Sequence, residues 1–298
     1  MQKTDTILSK EDFFILVRGA GELGSAAANS LYKCGFNIVL TDLQNPMAIR
    51  RNVSYCTAVH EKTITIEGVT ARYCKSEDIS DVLSNGEIPL FVDDESIIEN
   101  IQPSIIIDAR MLKKELEGNM TTLPFVIGLG PGFNAGKNCH LVIETNRGHN
   151  LGRIISNGMT AADTGIPGNI AGESANRVIR APKDGVVNWQ VDLGEIVTKN
   201  QLMGTINNNT EIRATLNGLV RGLIMNGHHV SENMKIADID PRGLSVDYQA
   251  ISDKARSIGR AVLEAVLIIN KNIYKIFICE VILNKKAFIT IFVQLMYR

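Results

Sequence analysis

The sequence has no strong charge of one sign, few aromatic residues and no long apolar run. Lys plus Arg number 31 and Asp plus Glu 32, which gives a net charge of -1, so no basic field favours nucleic-acid binding. Aromatic residues make up 5% of the chain, too few for a surface that stacks bases. No apolar stretch reaches the roughly 18 residues of a membrane-spanning helix. We therefore expect neither a nucleic-acid partner nor a membrane partner.

The sequence also lacks a Cys-x-x-Cys pair, and its 5 cysteines are widely spaced. They are Cys34, Cys56, Cys74, Cys139 and Cys279. This pattern fits neither a zinc site nor a redox dithiol, so we expect no bound metal. The segment MQKTDTILSKED has no apolar centre of the kind found in secretory signals. Reduced thiols and the lack of such a signal predict a cytoplasmic protein.

What the sequence does have is the composition of an ordinary globular protein. Hydrophobic residues make up 45% of the 298 residues and charged residues 21%, which excludes a disordered or fibrous chain. At about 150 residues per domain, this length predicts two domains.

A glycine motif follows the first apolar run. Residues 13–17 (FFILV) predict a strand buried on both faces, and GAGELG comes next, before a segment with helical spacing. In a dinucleotide-binding βαβ unit, Gly19 would permit the tight turn and Gly21 the approach of a pyrophosphate. Gly24 would permit close packing of helix and strand. The free amides of the helix N-terminus would face the phosphates.

An acidic residue ends the second predicted strand. Asp42 stands where such units place an acceptor for ribose hydroxyls. Because its charge would repel a 2′-phosphate, the pattern favours NAD or another dinucleotide over NADP. Arg50 and Arg51 leave the alternative open, since either could pair with an additional phosphate or lie solvated on the surface.

Further candidates for the binding site follow later predicted strands. Asp108 and Arg110 come directly after the apolar run 104–107, and in open α/β sheets ligands bind beyond the carboxyl ends of strands. A local ion pair is the alternative for these two residues.

Two more groups of residues extend the predicted binding site. Gly130 and Gly132 lie in the most glycine-dense segment, which could present backbone amides to an anion or serve as a crossover loop. Asn146, Arg147 and His149 follow the run 141–143 and could hold a phosphate or a pterin-like ring. A purely structural role is the alternative for His149.

Residues 180–239 contain a sequence repeat. The two copies align without gaps at an offset of 33 residues, so that Arg180 corresponds to Arg213. Short strands with glycine turns, repeated once, predict a small all-β unit whose two copies interlock. The pattern A-P-x-x-G-x-V resembles the biotinyl/lipoyl barrel-sandwich hybrid, in which a modified lysine lies at an exposed hairpin. Here that tip is residues 207–210 (NNNT), while Lys199 and Lys235 lie within the repeats. We therefore expect no biotin and no lipoate.

The predicted fold class is α/β, with a Rossmann-like nucleotide-binding domain over residues 1–175. A smaller all-β barrel-sandwich hybrid domain follows at 176–245, and a C-terminal helix at 246–267, which Ser252 would cap. Residues 268–298 change in composition to mostly Ile, Asn, Lys, Tyr and Phe. We expect that this tail is translated from a shifted or non-native reading frame; the alternative is a real β-rich appendage or a partner-binding tail.

Several segments together resemble the YqeB group of accessory proteins of selenium-dependent molybdenum hydroxylases, which is related to XdhC. The segments are GAGELG from Gly19, AIRRNVSY from Ala48, IDAR from Ile107, VIGLGPGFNAG from Val126, ETNRGH from Glu144, NGLVRGLI from Asn217, IADIDPRG from Ile236 and SDKAR from Ser252. The resemblance covers about residues 11–267. One departure is Asp42, where the group often has glutamate; the acceptor is retained.

The resemblance implies a protein that matures or delivers a molybdopterin-type cofactor. XdhC-like proteins are thought to bind that cofactor and support its sulfuration, so the implied ligand is a molybdopterin-type dinucleotide and the implied partners are molybdenum hydroxylase subunits. Two alternatives stay open. One is an NAD-dependent oxidoreductase, for which His149 is the one plausible proton donor. The other is a non-catalytic scaffold that docks a hydroxylase through residues 176–245. Association with further copies of the chain also stays open.

Overall fold

The computed structural model describes residues 13–92, 101–112, 114, 116–117 and 124–269. The compositionally distinct tail therefore lies outside the described residues, apart from 268 and 269. In the described ranges, no helix has the length and apolar character that crossing a membrane requires.

Nine of the first eleven strands form one large mixed sheet. The eleven are β1 (Phe14–Arg18), β2 (Asn37–Asp42), β3 (Thr63–Ile66), β4 (Val69–Tyr73), β5 (Ile88–Val92), β6 (Ile105–Asp108), β7 (Phe125–Leu129), β8 (Asn134–Ala135), β9 (Leu141–Ile143), β10 (Ile154–Ile155) and β11 (Gly158–Met159). The order in the large sheet is β10-β9-β7-β6-β1-β2-β5-β4-β3, while β8 and β11 pair separately. The centre is parallel, since β1 pairs with β2 on one side and with β6 on the other.

The central strand β1 is apolar on both faces, as its sequence predicts. Alternate side chains of a strand point to opposite faces, so Ile15 and Val17 enter one hydrophobic core while Phe14 and Leu16 enter another. A strand covered on both faces shows no polar alternation, which explains the continuous run of apolar residues.

The helices whose bounds lie within the described ranges are α1 (Glu22–Tyr32), α2 (Ala58–Glu61), α3 (Ile79–Ser84) and α4 (253–269). Short 3-10 turns occur at Arg51–Val53, Tyr55–Thr57, Ser76–Asp78 and Gly243–Ser245. Helix α4 begins as predicted, because the Ser252 hydroxyl accepts a hydrogen bond from the Ala255 amide at 3.2 Å. It packs tightly on α1: a Cβ at Gly259 would lie 2.5 Å from the carbonyl oxygen of Ala26.

The sequence repeat is also a structural repeat. Its strands are β12 (Val178–Arg180), β13 (Gly185–Trp189), β14 (Ile196–Val197), β15 (Leu202–Ile206), β16 (Thr210–Arg213), β17 (Gly218–Leu223), β18 (His229–Val230) and β19 (Lys235–Asp240). They form two antiparallel sheets, in the orders β12-β19-β17-β14 and β16-β15-β13-β18. Each sheet takes strands from both copies, so each copy buries its apolar face against the other.

The predicted fold class, a Rossmann-like domain followed by a barrel-sandwich hybrid domain, is wrong. The large sheet is mixed, with the antiparallel hairpin β3–β4 at one edge and the antiparallel strand β10 at the other. The repeat forms two four-stranded antiparallel sheets. Helix α4 follows the repeat in sequence yet packs into the core of the large sheet. The prediction failed because motifs report local order, whereas edge pairing and the return of α4 depend on distant contacts.

One segment joins the two cores. Ile49, which follows β2, packs in the core of the repeat, and its carbonyl oxygen accepts a hydrogen bond from the Leu223 amide at 2.7 Å. Arg51 donates to the Leu223 carbonyl at 2.8 Å. Arg50 donates to the carbonyls of Tyr248 and Ala250, both at 3.3 Å. The repeat and the chain leading to α4 are thus both attached to the end of β2.

Candidate functional site

The glycine turn is built for close packing at two of its three positions. Gly19 has a φ of +92°, and a Cβ there would lie 2.8 Å from the backbone of Ala109. A Cβ on Gly24 would lie 1.9 Å from the Gly19 carbonyl oxygen. Gly21, the N-cap of α1, has open space where a side chain would be. Only Gly21 therefore leaves the helix N-terminus accessible to a ligand.

Asp42 holds this turn in place. One carboxylate oxygen accepts a hydrogen bond from the Ala20 amide at 2.6 Å, and the other accepts one from the Leu43 amide at 2.7 Å. The side chain predicted to meet ribose hydroxyls thus already binds two backbone amides.

Asp108 and Arg110 form a local ion pair, as in the alternative considered for them. The Arg110 guanidinium donates to both carboxylate oxygens of Asp108, with Nε at 2.9 Å and 3.2 Å. Asp108 is buried at the end of β6. Neither residue lines a cavity described below.

The glycine-dense loop packs against the chain after β9. At Gly130, where φ is +74°, a Cβ would lie 2.6 Å from the Thr145 hydroxyl oxygen. Gly132 also has a positive φ, +103°. His149 is exposed and lines neither cavity.

Asn146 and Arg147, in contrast, line a cavity of about 440 Å³. It lies at the carboxyl ends of the central strands, since Leu23 of α1, Met111 after β6 and Pro131 after β7 also contribute to its wall. Open sheets with parallel strands bind their ligands at this edge, and the volume falls within the usual range for small-molecule sites.

The cavity has an excess of positive charge. Its 7 basic side chains are Arg50, Arg147, Arg177, Arg180, Arg221, Lys235 and Lys254, and its 4 acidic ones are Glu22, Glu144, Asp163 and Asp238. Four of the basic residues belong to the repeat or its approach, so the repeat forms one wall of the cavity. A second cavity of about 470 Å³ shares Arg50, Arg147 and Arg221 with the first. This arrangement suits an anionic ligand.

A buried ion network supports that wall. Asp238 is 1% exposed and forms salt bridges with Arg177 and Arg221. Arg221 also reaches Asp240 at 3.2 Å, and Arg242 pairs with Asp240 at 2.8 Å. Burial is the largest single influence on the pKa of Asp240 and raises it. Arg242 and Arg221 together outweigh burial, so the pKa of Asp240 lies below its ordinary value.

Arg50 brings a poorly compensated positive charge into the cavity wall. Its side chain is 8% exposed, and its nearest carboxylate is that of Glu22, at 3.6 Å. Burial lowers the pKa of the guanidinium, and the charge of Glu22 opposes this effect. Within the described residues, its Nε atom is buried without a hydrogen-bond partner, which is costly for a cation.

Lys235 and Lys254 are also affected by burial. Desolvation lowers the pKa of Lys235, against the charge of Asp238, and the charges of Arg177 and Arg221 lower it further. Desolvation likewise lowers the pKa of Lys254, followed by the charge of Arg147.

Most of these cavity residues were not predicted from the sequence, although a signal for them was present; Arg50 was considered only as a partner for an additional phosphate. Glu22, Arg50, Arg221, Asp238 and Lys254 all lie in the segments that carry the family resemblance. Lys235 precedes one of these segments directly, whereas nothing in the sequence singled out Arg177. Within the described residues, no group of three or more His, Cys, Asp or Glu side chains could hold a metal ion.

The described thiols lie away from the cavity. Cys56 and Cys139 are buried, and Cys34 is exposed. Burial raises the pKa of Cys139 to about 11 and that of Cys74 to about 11. Because the thiolate is the reactive form, we expect iodoacetamide at pH 8 to modify Cys34 at least ~10-fold faster than Cys139. Peptide mass spectrometry over time measures these rates, and equal rates in the folded protein would contradict the assignment.

Comparison with known proteins gives one sequence relative. The uncharacterized protein YqeB of Escherichia coli (strain K12) is 42% identical over 257 residues, which is 86% of this chain. The chain is of the YqeB type. It spans about half the length of this curated relative, 47%. No protein-family model matches the chain.

Solved structures that resemble this YqeB-type chain include two hydrolase-named or utilization-named proteins at low identity and low TM-score. The product-bound ectoine utilization protein EutE (DoeB) from Ruegeria pomeroyi is 12% identical, with a TM-score of 0.22, over 79% of this chain and 60% of its own. A succinylglutamatedesuccinylase/aspartoacylase from Rhodobacter sphaeroides is 12% identical, with a TM-score of 0.24, over 76% and 85%. Likenesses at this level support no argument about the reaction.

Proposed function

We propose that this YqeB-type chain binds a phosphate-bearing cofactor of the molybdopterin type and holds it for delivery to a molybdenum hydroxylase. The observation that carries the proposal is the cationic cavity between the sheet edge and the repeat, with 7 basic and 4 acidic side chains. The excess of three positive charges is unfavourable in a partly enclosed space unless an anion offsets it.

The residues present fit the anionic part of such a cofactor. Arg147, Arg180 and Lys254 reach the cavity from three different parts of the chain, so they can contact phosphate oxygens from several directions. Arginine binds phosphate with two parallel hydrogen bonds, and lysine binds it as a point charge. When bound, the cofactor would supply the redox chemistry of the hydroxylase that receives it, and this chain would supply binding and orientation.

Holding and delivery fit the site better than turnover by an NAD-dependent oxidoreductase. The lining of the cavity includes no histidine, tyrosine or cysteine among the described residues. His149, the one proton donor considered from the sequence, lies outside it. A covalent sulfur relay through this chain's own described thiols is also disfavoured, because none lines the cavity.

The geometry also favours a binding role over a pure scaffold. Arg177, Arg221 and Lys235 of the repeat region contribute to the cavity lining, so the repeat takes part in binding. The molybdopterin assignment and the hydroxylase partner rest on the family resemblance, while the phosphate-binding part rests on the charge of the cavity.

Native mass spectrometry of protein purified from a molybdenum-replete host tests this proposal. We expect a co-purified phosphate-bearing molecule on the wild type and at least ~10-fold lower occupancy on Arg147→Met, since a charge-assisted contact is lost. Arg213→Met is the matched control, because Arg213 also forms an exposed ion pair, with Glu211, away from the cavity. A wild type without a bound small molecule, or equal occupancy in Arg147→Met, would refute the proposal.

A further inference from the structure

Two lysine amines in the cavity have no hydrogen-bond acceptor among the residues that the structure describes. Across the described part of the chain, neither Lys235 Nζ nor Lys254 Nζ has a hydrogen-bond acceptor, and no carboxylate lies within 4.0 Å of either amine. The neighbouring arginines are already engaged: Arg177 and Arg221 bind Asp238, and Arg147 binds Asp253 through two hydrogen bonds. Unlike these three arginines, the two lysines can bind a ligand without first breaking a contact with another described residue.

These amines come from separate parts of the fold. Lys235 begins β19 in the repeat, whereas Lys254 lies in the first turn of α4, which packs on α1. Both line the same cavity. A ligand that contacts both amines must therefore present negative charge toward two different walls.

Glu22 is one of the carboxylates that line the same cavity as these cations. Glu22, in the first turn of α1, lies 3.6 Å from the Arg50 guanidinium. Its charge also acts on Lys235 and on Lys254, in each case favouring the protonated amine. The charge of Glu22 thus acts on three basic side chains, although that of Asp238 acts more strongly on Lys235.

We propose that Lys235 and Lys254 clamp a diphosphate group from two sides, and that the negative charge of Glu22 opposes its binding. The inference rests on the same cavity as the proposed function and specifies its ligand class. A single phosphate carries about two negative charges, fewer than the cavity's excess of three. A diphosphate has two separate anionic centres, one for each amine.

Calorimetric titration of the full chain with inorganic diphosphate tests the clamp. We expect Lys235→Met and Lys254→Met each to raise the Kd about tenfold, because each removes one charge-assisted contact. Glu22→Gln should lower the Kd roughly fivefold, because a competing negative charge is removed. Lys75→Met is the matched control, since Lys75 is 80% exposed and outside the cavity; its Kd should stay within about twofold of the wild type.

Inorganic phosphate has one anionic centre, whereas diphosphate has two. A parallel titration with inorganic phosphate therefore distinguishes binding by one amine from binding by both. Only one of the two lysine substitutions should then weaken binding strongly. Circular dichroism shows that each variant is folded before it is titrated. Wild-type protein that does not bind diphosphate, lysine variants that bind it as the wild type does, or a Glu22→Gln variant that binds it more weakly would each overturn the clamp.

The two proposals can fail separately. If diphosphate binds as expected but no molybdopterin-type molecule co-purifies, the clamp stands and the proposed function fails. If such a molecule co-purifies equally with the wild type and both lysine variants, the proposed function stands and the clamp fails.

Discussion

Replacing Asp238 with alanine is expected to lower the free energy of unfolding by about 3–5 kcal/mol. The change leaves the buried guanidinium of Arg177 without a carboxylate and that of Arg221 with Asp240 as its remaining partner. Asp238 is 1% exposed, and the side chains of Arg177 and Arg221 are 8% and 12% exposed. The midpoint of a urea transition followed by circular dichroism measures the effect.

Asp253→Ala is the matched control for this prediction. Asp253 also forms two hydrogen bonds with an arginine, Arg147, but its side chain is 76% exposed. Ion pairs in solvent contribute about 0–1 kcal/mol, so this variant should unfold near the wild-type midpoint. Equal decreases in the free energy of unfolding for the two variants would show that burial does not determine the contribution of the Asp238 network.

Replacing Gly24 with alanine is expected to cost more than about 4 kcal/mol or to prevent folding. The new Cβ would lie 1.9 Å from the Gly19 carbonyl oxygen and 3.1 Å from the Cβ of Ala109. The closest obstacle is backbone, which cannot move aside as a flexible side chain can. Because β1 and α1 flank this turn, relief would require moving the helix relative to the sheet.

For Gly21→Ala, three residues earlier in the chain, we expect almost no loss of stability, in contrast to Gly24→Ala. Gly21 has a φ of -70°, and no atom lies within 4 Å of the point that its Cβ would occupy, so we expect a change of less than about 1 kcal/mol in the free energy of unfolding. Thermal and urea unfolding of both variants provide the comparison. A stable Gly24→Ala protein would mean that α1 sits further from the Gly19 carbonyl than the structure places it.

The sequence alone predicted the local elements correctly. Most of the apolar run 13–17 lies in the buried strand β1, GAGELG contains the turn and the start of α1, and Ser252 caps α4. These features depend on residues close together in the chain, where turn geometry, capping and apolar periodicity act.

The contacts of the candidate site residues were predicted less well, because local patterns do not specify partners. Asp42 and Asp108 both lie at strand ends, as expected, but the first binds the amides of the glycine turn and the second binds Arg110. Arg147 lines the cavity, whereas His149 does not. The sequence could not show which polar side chains would already be engaged within the protein.

By itself, the sequence determined the strand–turn–helix at the start, the two-copy repeat and the cap of α4, because glycine, apolar spacing and capping act within a few residues. Tertiary structure alone decided the mixed edges of the large sheet and the return of α4 to its core. It also decided that Lys235 and Lys254 share one cavity with Glu22. These features join residues up to about 230 positions apart, and such pairings are selected by the packing of whole faces rather than by any local pattern.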